Sequence, residues 1–297
     1  MKKFAFFKGC FIPIRLPHLE RVSEMVFKDL DIELVKLDDF SCCPEPIGFG
    51  LNDKLTWLTL AARNIAIAEE KGLDILTICN GCYYTLKQTD SVLKGNKELK
   101  DKVNDIMRDT GHRFEGAFEI KHFVHAILED IGLEKLGEKV KHPLKEIKVA
   151  CHTGCHLISP VEIFRFDDQY DPVILERMVS ALGASVSDYD LKTLCCGWTL
   201  SNYGSKASAS NLIRDKLKSM KKTQADCITV TCPQCFYQFD TGQAVASRSY
   251  SLGFSLPVLF YPQLLGLALG YKLDEVFYER HRVKSSAFEA KLEEMLE

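Results

Sequence analysis

The segment Asp74 to Tyr84 reads DILTICNGCYY, and the segment Cys227 to Tyr237 reads CITVTCPQCFY. In each, a short apolar and β-branched run leads into C-x2-C and then into two aromatic residues. A run of that length bounded by turn-forming residues reads as a buried strand, and the cysteine pair sits just past its end. The two segments lie 153 residues apart.

Working outward, the same offset holds for further cysteines. Cys42-Cys43 precede the first C-x2-C pair, Cys79 and Cys82, and Cys195-Cys196 precede the second, Cys232 and Cys235. A single upstream cysteine, Cys10 or Cys155, completes each set. The first half reads C-x31-CC-x35-C-x2-C and the second C-x39-CC-x35-C-x2-C. Repetition over this length means two homologous domains rather than a solenoid of short units. The boundary is expected near His142-Pro143, giving domains 1–145 and 146–297.

Each half alternates apolar runs with amphipathic stretches. Strands are expected at Phe4–Phe7, Glu33–Lys36, Ile75–Ile78 and Glu119–Lys121. Their counterparts are Ile147–Ala150, Ala184–Ser187, Ile228–Val230 and Val258–Phe260. Helical patterns such as Trp57–Lys71 and Ala207–Met220 lie between them. Strand–helix alternation predicts parallel sheets. The expected fold class is α/β, with two homologous, pseudo-twofold-related Rossmann-like domains built on small parallel sheets. Cys10, Cys79, Cys155 and Cys232 each follow a strand, and ligands of open α/β sheets collect at carboxyl ends of strands. All five cysteines of a half can therefore converge on one crevice.

Composition narrows the function classes. With 46% hydrophobic and 27% charged residues in 297, the chain has a globular balance and room for two ordinary domains. A formal net charge of −3 supplies no global basic field for nucleic acid. Lys8 ends the apolar run that begins at Phe4, which is too short for the core of a secretory signal. Twelve cysteines then point to a cytoplasmic metalloprotein rather than a disulfide scaffold. Residues 249–271 carry no charge, but Pro257, Pro262, Gln263 and several serines interrupt them. They are expected to form a buried strand at Leu256–Tyr261 and a short helix at Gln263–Leu269, not a membrane span.

Thiolates select zinc, copper(I) or iron–sulfur clusters. Side chains of adjacent cysteines diverge, which suits a multi-iron cluster better than one tetrahedral ion. Five ligands also exceed the four of a cubane or a structural zinc site. Two zinc sites with spare cysteines are the competing reading. Cys227 and Cys151 fall outside the repeat and are expected in the strand core. His152 and His156 flank Cys155. His156 is the candidate proton donor or anion contact, or else a brace on the loop. Neither a dinucleotide fingerprint nor a P-loop is present, so electrons must enter from another protein.

The paired motifs, with Cys42-Cys43-Pro44 and Cys195-Cys196-Gly197, resemble the duplicated CCG domains of the heterodisulfide reductase B-subunit family. Further matches are Thr56 to Asn64, Cys79-Asn80-Gly81-Cys82, Gly154-Cys155-His156 and Gln263 to Ala268. Proteins of glycolate and lactate oxidation systems carry CCG domains too; the long helix after Cys42-Cys43-Pro44 favours heterodisulfide reductase. The resemblance implies a noncubane [4Fe-4S] cluster on Cys10, Cys42, Cys43, Cys79 and Cys82, and a second on Cys155, Cys195, Cys196, Cys232 and Cys235. It implies reduction or formation of a disulfide between them, such as that of coenzyme M and coenzyme B.

It also implies partners: a ferredoxin-like HdrC-type protein, a flavoprotein of the HdrA type, and hydrogenase or formate dehydrogenase modules upstream. One departure is that Trp198 to Gly204 replaces a glycine-rich run after the second Cys-Cys-Gly. This leaves open another thiol or sulfane substrate, as in the similar complexes of sulfur oxidisers. Electron relay to a quinone or a protein is the other alternative. Arg15, His18 and Lys206 lie near the motif loops and are candidates for anionic groups of a substrate.

Overall fold

The computed structural model of the chain describes residues 1–296. Eight strands form two four-stranded sheets. The first contains β1 (Lys2–Phe7), β2 (Ile32–Val35), β3 (Ile75–Thr77) and β4 (Ile120–His122) in the order β2-β1-β3-β4. The second contains β5 (Lys148–His152), β6 (Ser185–Ser187), β7 (Cys227–Val230) and β8 (Val258–Phe260) in the order β6-β5-β7-β8. Every neighbouring pair is parallel. The register repeats as well: Phe7 lies opposite Thr77, and His152 lies opposite Val230. All eight expected strands are present, Val258–Phe260 with the expected ends and the others with ends displaced by at most two residues. The central strands are buried on both faces, as parallel sheets covered by helices require.

The helices start where local chemistry supplies a cap. Asp53 accepts the Thr56 amide at 3.0 Å and opens the helix Lys54–Glu70. Ser205 accepts the Ser208 amide at 3.1 Å and opens the helix Lys206–Lys222. These satisfy amides that the first helical turn leaves without partners. Cys79 and Cys232 stand at the N-caps of the helices that follow β3 and β7, so each C-x2-C pair straddles a strand-to-helix turn.

The halves interlock. The helix Tyr261–Ala268, which follows the last strand of the second half, packs on the helix Pro17–Asp29 of the first. Reciprocally, the helix Leu133–Lys139 after β4 packs on the helix Ile174–Ala181 of the second half. Gly266 permits the first of these contacts, since a Cβ there would lie 2.9 Å from Val276 Cγ1 and 3.4 Å from Val26 Cγ1. Phe123 joins the two cores, with its ring 5.7 Å from Phe260, 6.1 Å from Tyr261 and 6.1 Å from Phe27. The uncharged stretch 249–271 thus contributes β8 and a buried helix. Among the described residues, no helix is long and apolar enough to cross a membrane.

Candidate metal centres

In each sheet the strand order reverses between its first and third strands. The loops after β1 and β3 therefore part around a crevice, as do those after β5 and β7. Cys10 and Cys79, Cys82 come from the first pair of loops. Cys155 and Cys232, Cys235 come from the second. The adjacent cysteines arrive from the loops after β2 and β6, ahead of the long helices. Lys8, Cys10, Cys42, Cys43, Cys79 and Cys82 line one cleft together. Cys155, Cys195, Cys196, Cys232 and Cys235 line the other. All ten are free thiols, and exposure follows the repeat: the single cysteine and the first of each adjacent pair are exposed, the other three buried.

The thiols crowd one another. Cys42 Sγ lies 3.4 Å from Cys10 Sγ, and Cys235 Sγ lies 3.3 Å from Cys196 Sγ. Hydrogen bonds from Cys42 and Cys82 pull Cys43 down to about 5. The same sharing pushes Cys10 up through Cys42, and Cys82 up through Cys43 and Cys79. In the second crevice Cys195 is lowered by Cys155 and Cys196, while Cys155 is raised by Cys195. The first crevice thus stabilises one thiolate, Cys43, and the second two, Cys195 and Cys232, at the expense of their neighbours, an arrangement that several bound cations would relieve.

Glycines admit the crowding. Gly9 has φ +65° and a Cβ there would lie 2.6 Å from Cys82 Sγ; Gly154 has φ +80° and a Cβ there would lie 2.7 Å from Asn80 Nδ2. Only glycine fits both the conformation and the space. Converging thiols and these glycine cradles fit a multi-iron cluster in each half, and in the second the unpartnered, buried nitrogens of His152 stand beside Cys196 and Cys235.

Buried side chains of the long helices fix the adjacent cysteines. Asn64 accepts from the Ser41 amide at 2.8 Å and donates to the Cys42 carbonyl at 3.1 Å. In the second half the Lys216 ammonium donates to the carbonyls of Leu191, Lys192 and Leu194, at 2.8, 2.8 and 2.5 Å. Burial lowers Lys216 to about 8. Sequence reasoning missed both anchors. The offset of 153 aligns Lys216 with Arg63, one residue before Asn64, and so hides that neighbouring helix positions do the same task.

The crevices meet. Cys232 raises the Cys79 thiol, while Cys235 and Cys79 lower Cys232 against its burial. His156 and Gln234, from the second half, line both clefts, while Asn80, from the first half, lines the second. His156 packs against Tyr84 with ring centroids 4.6 Å apart, and burial lowers its pKa. Cys151 and Cys227 lie buried in β5 and β7.

Beside both clefts opens a cavity of 520 Å³. Arg15 and Lys206 stand on its wall, with Phe11, Trp198 and Tyr237 meeting edge-on at 4.9 to 5.6 Å. The structure does not bring His18 to this cavity; its ring packs against Phe236 and His281 instead.

Two like α/β domains, each presenting five thiols at its switch point, define a duplicated thiolate metal-centre protein. Comparison with known families agrees: the cysteine-rich domain family CCG matches residues 4–87 and again 149–240. The chain is 38% identical over 296 residues to the B subunit of the ferredoxin/F(420)H(2)-dependent CoB-CoM heterodisulfide reductase of Methanosarcina acetivorans. That alignment covers 99% of this chain and 98% of the relative. Identity to the B subunit of the Methanosarcina mazei ferredoxin:CoB-CoM heterodisulfide reductase is 39%, with the same coverage.

The chain belongs to the heterodisulfide reductase B-subunit family of iron–sulfur oxidoreductases. It is also 31% identical, over 93% of its length and 95% of the relative's, to the 8-methylmenaquinol:fumarate reductase membrane anchor subunit of Wolinella succinogenes. A solved hypothetical protein from Helicobacter pylori shares the fold at TM-score 0.78 and 18% identity, over 96% of this chain and 53% of that one.

Proposed function

We propose that this chain is the catalytic iron–sulfur subunit of a heterodisulfide reductase or a similar complex, reducing or forming a disulfide between two noncubane [4Fe-4S] clusters. The observation that carries the reading is the meeting of the two five-cysteine crevices at Asn80, which lies between Cys79 and Cys82 and bonds to Thr153 and Thr231 of the second half, each crevice being lined by a residue of the other half. The ligands would be Cys10, Cys42, Cys43, Cys79 and Cys82 in the domain 1–145, and Cys155, Cys195, Cys196, Cys232 and Cys235 in the domain 146–297. Bound there, the clusters would supply one electron each and iron sites able to take up the two product sulfurs.

The chain's own residues would do the rest. Arg15 and Lys206 draw anionic groups of the substrate into the aromatic-walled cavity, where charge-assisted bonds hold them. The disulfide of coenzyme M and coenzyme B fits this description, since both halves are acidic. His18 faces Phe236 and His281, so any part in binding would follow a movement of that helix. His156 stands in the cleft as an imidazole kept neutral by burial, a relay that passes a proton to a departing thiolate. Electrons would arrive through ferredoxin-like and flavoprotein partners in the cytoplasm, from hydrogenase or formate dehydrogenase modules.

The relationship to the menaquinol:fumarate reductase protein favours one second reading, in which the chain relays electrons to a quinone or a protein partner. An anaerobic assay separates them. Reduced viologen and the coenzyme M–coenzyme B disulfide should give two thiols per turnover with the iron-loaded chain. Oxidation of viologen by a menaquinone analogue, with no thiol released from any disulfide, would favour the relay.

A further inference from the structure

We propose that His152 is a non-cysteine contact of the second metal centre and makes that centre the more readily reduced of the two. The inference rests on the two-cluster reading above. His152 ends β5 in the register that Phe7 occupies at the end of β1, so an imidazole stands in one half where a phenyl ring stands in the other. Its side chain is 3% exposed, and neither ring nitrogen has a hydrogen-bond partner. A ring nitrogen of His152 and the sulfurs of Cys196 and Cys235 all lie within 4.8 Å of one another.

An N–H buried without an acceptor is costly, because it has given up water and gained nothing in return. The space enclosed by the thiols is where an acceptor belongs, and cluster or cysteinate sulfur accepts. Hydrogen bonds to cluster sulfur raise the reduction potential, because the reduced centre carries one more negative charge for the donor to stabilise.

Lys216 acts in the same direction. Its nitrogen, fully buried, serves three carbonyls, and three donors require the protonated ammonium. At the equivalent position of the first half stands Arg63, whose guanidinium reaches out to the Asp39 carbonyl in an exposed contact. The second crevice therefore has a buried N–H donor and a buried cation for which the first has a phenyl ring and a solvated charge. Electrons delivered one at a time by an external donor would settle in the second centre first.

The test is a potentiometric titration of the iron-loaded full chain followed by electron paramagnetic resonance, in wild type and His152→Phe. The variant copies the residue of the first half. We expect iron and sulfide to stay at wild-type content, one midpoint to move to a more negative value, and the other to stay. His152→Gln keeps an N–H donor and should recover part of the shift. With ¹⁵N-histidine, the reduced wild type should show a nitrogen coupling that His152→Phe lacks.

Unchanged midpoints and an unchanged coupling in His152→Phe at full iron would overturn the proposal. Should that variant lose iron, the coupling in a His122→Phe/His156→Phe double variant decides: its presence supports His152 as the contact, its absence refutes it. A wild-type chain that takes up no iron would refute the two-cluster reading instead, so the two failures differ in kind.

Discussion

Asn80 of the first half donates through Nδ2 to the Thr153 carbonyl of the second at 2.8 Å. The Thr231 hydroxyl serves Asn80 Oδ1 at 3.1 Å and the same carbonyl at 2.6 Å, so three buried groups close a small network across the halves. Asn80 lies inside the first C-x2-C pair; its counterpart in the second is Pro233, which has no such groups. The link therefore has one member per molecule, and it ties the turn bearing Cys79 to the loop that leads into Cys155.

Asn80→Ala should destabilise the folded chain by about 1–2 kcal/mol, because it removes two buried hydrogen bonds while the Thr231 hydroxyl keeps the Thr153 carbonyl. Denaturant unfolding of the metal-free chain under reducing conditions measures this. A cost below a few tenths of a kcal/mol would mean that the halves are held by Phe123 and the exchanged helices alone.

Asn64 positions the loop before the first adjacent pair without touching a sulfur. Asn64→Ala should therefore lower the iron content of the first centre while sparing the second. Iron per chain would fall toward half of wild type, and rescue should come from Asn64→Asp only in part, since the carboxylate can accept from Ser41 but cannot donate to the Cys42 carbonyl.

Arg15 and Lys206 should act on substrate capture. Arg15→Ala and Lys206→Ala are each expected to raise KM for an anionic disulfide about tenfold, the loss of roughly 1.4 kcal/mol of charge-assisted binding, with iron unchanged. Steady-state kinetics with an uncharged disulfide as control checks the assignment; equal losses for both substrates would remove it.

The buried histidines His122, His125 and His281, with the half-buried His18, make the chain sensitive to acid. Burial holds His18 at about 4, His125 and His281 at about 3, and His122 well below its ordinary value. A folded pKa below the unfolded one means that the unfolded chain binds more protons. The stability from these groups is complete above the unfolded value of about 6.5 and is lost as pH falls toward the folded values. Each adds a slope of about 1.4 kcal/mol per pH unit inside that window. Denaturant midpoints of the metal-free chain between about pH 7.5 and 5.5 should fall steadily with acid; a flat profile would show that these rings are not buried neutral.

Much of the fold was legible because the repeat supplied each strand twice. The apolar run before Cys79 and the one before Cys232 confirm each other, and buried parallel strands such as β3 and β7 carry little polar noise. The ten cysteines were legible for the same reason. The departures from symmetry were not. His152 differs from Phe7, and Lys216 from Arg63, but a sequence repeat gives no direction to a side chain. That Arg15 and Lys206 share a cavity while His18 turns to Phe236 depends on how the halves dock. The exchange of the helices Leu133–Lys139 and Tyr261–Ala268 between halves also leaves no mark on periodicity, because an amphipathic helix reads alike whichever sheet it covers.

The account stands most directly on iron and acid-labile sulfide per chain, measured after anaerobic, iron-replete preparation of wild type, Cys43→Ser and Cys196→Ser. Two four-iron clusters predict about eight irons in wild type and about four in each variant, since each half carries its own ligands. Zinc with little iron in wild type, or the loss of nearly all iron from either single variant, would contradict it.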